Sequence, residues 1–428
     1  MRPMGRMNRP HLIRSCLAIL LVALFGLAGI VATVSLSPRL GAQGADLIRA
    51  LIGVKPTAYL EEIVFKIQDT INQLEFKLGR KPPSAPWQVA AVTGDSPSGL
   101  PPPKVSFLPT QTPQPTRAVT STPMPPAQAS PTSTQIPTAA LAPSPTPWMP
   151  LPIPPLGSLE GEGAWTPYIQ DATGATVAYR TFLQPDPQRP YVVVGVVAFN
   201  LTRTRLHYVL GINEPSVPDV PKPPGVIPSA DRLAGTLLAA FNGGFKTVNG
   251  HFGVMDNGSV LIAPIFKMGT VALYRDGSIR IGEWGMDLKY STDMVAYRQN
   301  CPLMVHNGTI NPLVYINSAN DWGSTVKGNV VTFRSGIGIS QDGKVLYYFA
   351  GQSLTMPALA QAMQDAGAYQ AMQLDINNYY VLFTSFKFEN GQLAAFPLLP
   401  KDMVANLNRF LGSYSRDFFY ITATNPQP

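Results

Sequence analysis

The chain has 428 residues, 44 of them proline, and a formal charge of +7, so part of it lies outside any globular core. The positive excess sits at one end: residues 1–157 carry 13 Lys and Arg against 6 Asp and Glu, whereas 158–428 carry 19 of each. A nucleic-acid-binding domain would concentrate Lys and Arg, so that partner is excluded, and two distant cysteines, Cys16 and Cys301, provide no disulfide framework.

Residues 1–14 form a basic tail containing Arg2, Arg6, Arg9 and Arg14. Residues 15–36, SCLAILLVALFGLAGIVATVSL, are uncharged and mostly apolar. As a helix they would extend about 33 Å, enough for a hydrocarbon core of about 30 Å. The flanking arginines leave the N-terminus cytoplasmic and the remainder of the chain outside, at the cell membrane. The run predicts either a single-pass membrane anchor or a signal peptide cleaved near Ala42-Gln43-Gly44, which would release a secreted protein.

An amphipathic helical segment is expected over 44–81, where Leu60, Ile63, Ile67, Ile71, Leu74 and Leu78 recur at spacings of three and four. That stripe over 60–78 serves self-association, lies along the membrane, or docks on the chain's own domain. Residues 82–156 hold 22 prolines among Thr, Ser, Ala and Gln and read as a disordered linker of polyproline II character. Its upper reach is on the order of 230 Å.

From 158 to 428 the chain is punctuated by Asp256-Asn257-Gly258, Asp276-Gly277, Asn307-Gly308, Asp342-Gly343 and Asn390-Gly391, each a hairpin signal flanked by apolar or alternating runs. Residues 191–201, YVVVGVVAFNL, read as a central strand buried on both faces. One unit differs. VLYYFA (345–350) is followed by a helix with Thr355 as cap, Pro357 in its first turn and Gly367 as terminator, then by QAMQL (370–374). The expected fold is therefore α+β, a mixed and mainly antiparallel sheet domain with one strand-helix-strand unit whose two strands run parallel, preceded by a transmembrane helix and a disordered Pro-rich tether.

Asp375 ends the returning strand in AMQLDINNYY, the position at which crevices open in α/β sheets, although Asp and Asn are also ordinary turn residues. His207, His251 and His306 lack metal-ligand spacing, and Asp256-Asn257-Gly258 lacks the remaining ligands of a calcium loop, so no metal and no cofactor is expected. Cys301 beside Pro302 reads as a small buried residue. Three matches to the Asn-x-Ser/Thr pattern, at Asn200, Asn257 and Asn307, carry weight only in a glycosylating host.

LLAAFNGGF (237–245), FRSGIGISQDGK (333–344) and AYQAMQLDINNYY (368–380), in that order, resemble the phosphodiester glycosidase family, to which the mannose 6-phosphate uncovering enzyme is related. The resemblance covers roughly residues 160–425. It implies hydrolysis of a sugar 1-phosphodiester within a phosphate-linked glycan. Asp375 would stabilise the oxocarbenium ion, act as nucleophile or position water, with either retention or inversion. Arg334 would hold the phosphate in place of a general acid, unless it forms a structural ion pair. Asn242, Gly243, Gly244, Asn377 and Asn378 would bind substrate, and Phe245, Tyr379 or Tyr380 would stack on a sugar ring or simply pack. The chain departs from the family where Ile376, Asn377 and Asn378 replace glycines and where the preceding helix, which in the family often bears a glutamate, reads Pro357-Ala358-Leu359. A glycan-binding or envelope scaffolding module without turnover is the competing expectation.

Overall fold

The computed structural model describes residues 38–88, 148–218, 221–316, 322, 330–404 and 406–424. The basic tail, the apolar run 15–36 and most of the Pro-rich stretch lie outside the described residues. Among the described residues no helix is long and apolar enough to cross a membrane.

The domain is built from three antiparallel sheets. The first runs in the order β1 (Thr166–Gln170), β2 (Thr176–Leu183), β3 (Val194–Asn200), β14 (Val345–Leu354), β13 (Thr332–Ile339), β15 (Gln370–Gln373), β11 (Leu303–His306) and β12 (Thr309–Ile310), and is centred on β3, β14, β13 and β15. β3 and β13 are buried along their whole lengths, as continuous apolar runs require when both faces are covered. The second sheet places β5 (Leu237–Asn242) between β16 (Phe383–Glu389) and β18 (Phe418–Ala423). The third contains β8 (Gly269–Tyr274), β9 (Ile279–Glu283) and β10 (Met294–Gln299). The first two sheets share a core in which Phe199 and Tyr348 meet Phe383, and Phe241 stacks between Tyr348, Phe383 and Phe419.

All five Asp-Gly and Asn-Gly signals connect paired strands. Asn257 at φ 48 and Gly258 at φ 77 show why: the turn needs two consecutive left-handed residues. The strand-helix-strand unit is also present, β14 leading through α3 (Met356–Asp365) to β15. Thr355 accepts the Ala358 amide at 3.2 Å, satisfying a helix-end donor, and Gly367 ends the segment at φ 90.

The expected α+β class with a mixed sheet is corrected. β14 and β15 each pair antiparallel with β13, so the crossover returns beyond β13 and its two parallel strands never touch. All ladders between the named strands are antiparallel, and three α-helices stand among the described residues. Helix α3 covers the outer face of the first sheet through Leu359 and Met363, which share a core with Val196 and Phe349.

The segment expected as one amphipathic helix over 44–81 is a hairpin of α1 (Pro38–Ile52) and α2 (Val54–Lys77), divided at Gly53. Asp69 on α2 takes Arg189 through two short bonds of 2.8 and 2.7 Å, and Phe76 packs 5.5 Å from Tyr191. The stripe at Leu60, Ile71, Leu74 and Leu78 faces outward, exposed among the described residues, while Thr57, Val64 and Asn72 turn inward. The described ends of the Pro-rich stretch are packed rather than free: Trp87 lies edge-on to Phe182 at 5.7 Å, and Trp148 to Tyr179 at 5.5 Å.

Candidate active site

β5 ends at Asn242 and its next residues, Gly243 and Gly244, run across the end of the first sheet. The Asp375 amide donates to Gly243 O at 3.1 Å, which joins the two motif-bearing segments directly. Asn242 is the bracket beneath them. Its Nδ2 donates to Ser335 Oγ at 2.9 Å, and its Oδ1 accepts from Tyr348 OH at 2.9 Å and from the Leu382 amide at 3.2 Å. Ser335 Oγ in turn donates to Asp375 O at 2.7 Å. Asn242 is thus buried and positions the Asp375 backbone, without facing the cavity.

The Asp375 carboxylate is held at both oxygens. Oδ1 accepts the amides of Ile376 and Asn377 at 2.7 and 2.9 Å, and Oδ2 pairs with Arg416 Nη2 at 2.5 Å. Side-chain exposures are 7% for Asp375 and 6% for Arg416, so this pair is largely shielded from solvent screening. Burial alone would pull the Arg416 guanidinium down, but Asp375 and Asp417 outweigh it and hold the group above its ordinary value. Arg416 also donates to Gly244 O at 2.8 Å and lies 4.4 Å over the Tyr380 ring. Its Nε has no partner among the described residues.

Arg416 and Asp417 reach the site because β18 runs antiparallel to β5. Phe418 stands opposite Asn242, so the two residues preceding β18 lie beside Gly243 and Gly244. A second buried pair supports them: Asp417 Oδ2 accepts Arg298 Nε at 2.6 Å, with exposures of 1% and 2%. Arg298 also donates to Phe245 O at 2.5 Å. A Cβ on Gly243 would stand 2.5 Å from Asp417 Oδ2, which is why the backbone needs glycine where it passes this pair.

Asp375, Ile376, Asn377, Phe245, Tyr380 and Arg416 line a cavity of about 60 Å³, together with Thr332, Lys246, Asn249 and residues of α1 and α2. A larger and open basin of about 650 Å³ lies over β8 and β9 between Arg275, Arg280 and Asp293, and no residue of the three motifs lines it. The expected site residues are therefore brought together in part. Asp375, Phe245 and Asn377 share the cavity, whereas Asn242, Gly243, Gly244 and Asn378 are not among the residues that line it. Ile376, one of the residues replacing glycine, is itself part of the wall, and Thr332 Oγ1 donates to its carbonyl at 3.1 Å.

Arg334 is not brought to this cavity. Each of its three nitrogens donates a bond, to Leu354 O at 2.9 Å, Gln373 Oε1 at 2.5 Å and Val330 O at 2.7 Å. Burial without a carboxylate partner lowers it to about 9. The side chain braces the loops around β15 and has no fork left for a phosphate. Tyr380, rather than Tyr379, faces the cavity, since Tyr379 lies under Arg409 at 4.9 Å. Cys301 is buried and its thiol is pushed up to about 12 by that burial. No group of three or more His, Cys, Asp or Glu able to hold a metal occurs among the described residues.

The sequence reading passed over Arg416, Asp417 and Lys246. A weaker signal existed for the first two: an Arg-Asp pair directly before the apolar strand FFYITA sets charges at a strand end, at its start where Asp375 stands after one.

Residues 235–375 match the phosphodiester glycosidase family. Comparison with curated protein sequences gives no match. Among solved structures, the chain is similar to the zebrafish N-acetylglucosamine-1-phosphodiester alpha-N-acetylglucosaminidase catalytic domain auto-inhibited by pro-peptide, at 14% identity and a TM-score of 0.38. That alignment covers 60% of this chain and 86% of the other. It is also similar to a hypothetical protein from Synechocystis at 11% identity and a TM-score of 0.37, covering 60% and 64% respectively. At those scores neither likeness carries an argument. The family match bears out the resemblance carried by the motifs: residues 235–375 match the phosphodiester glycosidase model, which supports a hydrolase function of glycosidase type.

Proposed function

We propose that the domain hydrolyses sugar 1-phosphodiester linkages in phosphate-linked surface glycans, outside the cytoplasm. The observation that carries this reading is the shielded Asp375–Arg416 pair at the wall of a crevice formed by the Asn-Gly-Gly-Phe segment and the end of β15. A sugar 1-phosphodiester joins an anomeric carbon to an anionic leaving group of low basicity. Such a group needs a cation more than a proton. Arg416 takes the phosphate-holding role in place of Arg334: it is planar, permanently charged, and keeps Nε unpartnered. Asp375 supplies the negative charge that the oxocarbenium-like transition state requires. Low dielectric around both groups strengthens that stabilisation, and two backbone amides fix the carboxylate before substrate arrives. The location outside the cytoplasm rests on the apolar run 15–36 behind a basic tail, the pattern of an export signal.

The test is release of free sugar from a sugar 1-phosphodiester by the purified chain. Asp375→Asn should lower kcat/KM at least ~100-fold. Equal turnover in wild type and variant would refute the site. Saturable glycan binding without product would instead favour a binding module, the reading that Ile376 in the cavity wall supports.

A further inference from the structure

The helical hairpin leaves a large apolar surface uncovered among the described residues. Leu40, Leu47 and Leu51 on α1 are separated by seven and four residues, which sets them within ~40° of one another around the helix, and Leu47 and Leu51 are 63% and 75% exposed. Ala42, Asp46 and Arg49 occupy the other side of α1, where Ala42 is buried and both Asp46 oxygens accept from Lys246 Nζ at 2.7 and 2.6 Å. On α2 the exposed surface continues through Tyr59, Leu74 and Leu78, Tyr59 at 64% and Leu74 at 55%. Single exposed apolar residues are ordinary, but a row on each of two neighbouring helices marks an interaction surface. The charges are divided between the same two sides. Asp46, Glu61 and Asp69 are engaged on the inner side by Lys246, Arg49 and Arg189. Outside these pairs, the exposed charged residues over 38–81, among those described, are all cations: Arg39, Lys66, Lys77 and Arg80. Lys66 and Lys77 are eleven residues apart and so project within ~20° of each other, along the border of the apolar row on α2.

We propose that the outer side of the hairpin is a lipid-docking surface, seated in the headgroup region of an anionic bilayer. A helix that lies in this region needs an apolar face to enter the boundary between headgroups and acyl chains, and cations beside it to reach the lipid phosphates. The leucine rows supply the first. Lys66 and Lys77 supply the second, since their aliphatic stems stay with the apolar row while the ammonium groups reach the headgroups. Tyr59 carries the amphipathic ring that settles at the same depth. A second copy of the hairpin is the poorer occupant. Two such surfaces face to face would set four cations against four with no unpaired exposed acid between them, and like charges brought together repel. The chain also delivers this surface to a membrane, because α1 begins at Pro38, two residues after the apolar run 15–36 that reads as an export signal. The hairpin is fixed to the sheets by Asp69–Arg189 and Phe76–Tyr191, so lipid contact there would hold the whole domain against the bilayer. The inference stands apart from the hydrolase reading and does not depend on it.

The experiment reconstitutes the full chain into vesicles of phosphatidylcholine, alone or mixed with phosphatidylglycerol, and reads the depth of single positions. A fluorophore is attached at Leu47→Cys, at Leu74→Cys or, as a control on an exposed turn of the domain, at Gln341→Cys. The background is Cys16→Ser, and Cys301 is buried and stays unlabelled. Because each label reports only its own surroundings, lipid contact made by residues 15–36 does not register; the Leu74→Cys label is the stricter probe, being furthest from that run. In mixed vesicles a lipid-borne nitroxide should quench the Leu47→Cys and Leu74→Cys labels about 5-fold more strongly than the Gln341→Cys label. Charge reversal by Lys66→Glu/Lys77→Glu should remove most of that difference, as should phosphatidylcholine alone, while tryptophan emission shows that the variant is folded. Labels at Leu74→Cys that respond to aqueous iodide as strongly as the control and ignore the lipid quencher overturn the inference. Shielding from both quenchers, with cross-linking between copies through the hairpin, overturns it in favour of self-association. Lipid quenching that is indifferent to charge reversal and to phosphatidylglycerol overturns the anionic surface as the partner.

Discussion

The Asp375–Arg416 pair predicts a strongly non-additive pattern of stability. The two groups meet at 2.5 Å with 7% and 6% of their side chains exposed. Removing one partner of such a pair strands a desolvated charge and costs ~3–5 kcal/mol. Each single variant should fall near the low end. In Asp375→Asn, Arg416 keeps Gly244 O and the Tyr380 ring; in Arg416→Met, Asp375 keeps two backbone amides. We therefore expect about 3 kcal/mol for each single variant and again about 3 kcal/mol, rather than 6, for the double variant, a coupling of about 3 kcal/mol. The assay is urea unfolding of the full chain followed by tryptophan fluorescence. With a slope of ~3 kcal/mol per molar for a domain of this size, each change moves the midpoint by ~1 M. Simple additivity, or single variants within ~0.5 kcal/mol of wild type, would show that the carboxylate and guanidinium are solvated independently and would remove the preorganised pair on which the site depends.

Arg334→Met should separate structure from chemistry. Losing its bonds to Leu354 O, Gln373 and Val330 O should cost ~2–3 kcal/mol, while kcat of the folded fraction stays within a few-fold of wild type. A kcat loss comparable to that of Asp375→Asn would return Arg334 to the reaction. The His207 ring stacks on Tyr420 at 4.5 Å and burial lowers it to about 4 from 6.5. Because the folded value is depressed, the unfolded chain takes up the proton first. Its contribution is complete above pH 6.5 and is lost as pH falls toward 4, by ~2 kcal/mol for a half-buried ring. His207→Gln should flatten that part of the stability profile measured by urea midpoints, and an unchanged slope would refute the assignment.

Local chemistry made much of the domain legible. The five Asx-Gly turns, the Thr355 cap and the β-branched run of β3 are short-range instructions, and the structure follows each one. The mixed sheet was misread because a strand-helix-strand pattern specifies that two strands are parallel but not whether a third lies between them; β13 does. The outward stripe of α2 has a similar origin, since helical periodicity marks an apolar face without saying which side will be covered. Asp69, Asn72 and Phe76 found partners in Arg189, Ser353 and Tyr191 and turned the polar side inward.

At the site the division is sharper. Asp375, Phe245 and the two glycines could be read because each lies in a motif where residue type and strand end coincide. The cation that faces Asp375 could not be. Four arginines, 298, 334, 409 and 416, are buried among the described residues and equivalent in charge, and only the antiparallel register of β18 against β5 brings Arg416 to the carboxylate while Arg334 is spent on carbonyls and Gln373. Sequence by itself determined the strands, turns and acid of this protein, because those depend on neighbours a few residues away. Tertiary structure alone decided the counter-charge and the seating of the helical hairpin, because Arg416 lies 41 residues from Asp375 and Asp46 lies 200 from Lys246, separations across which no local preference acts.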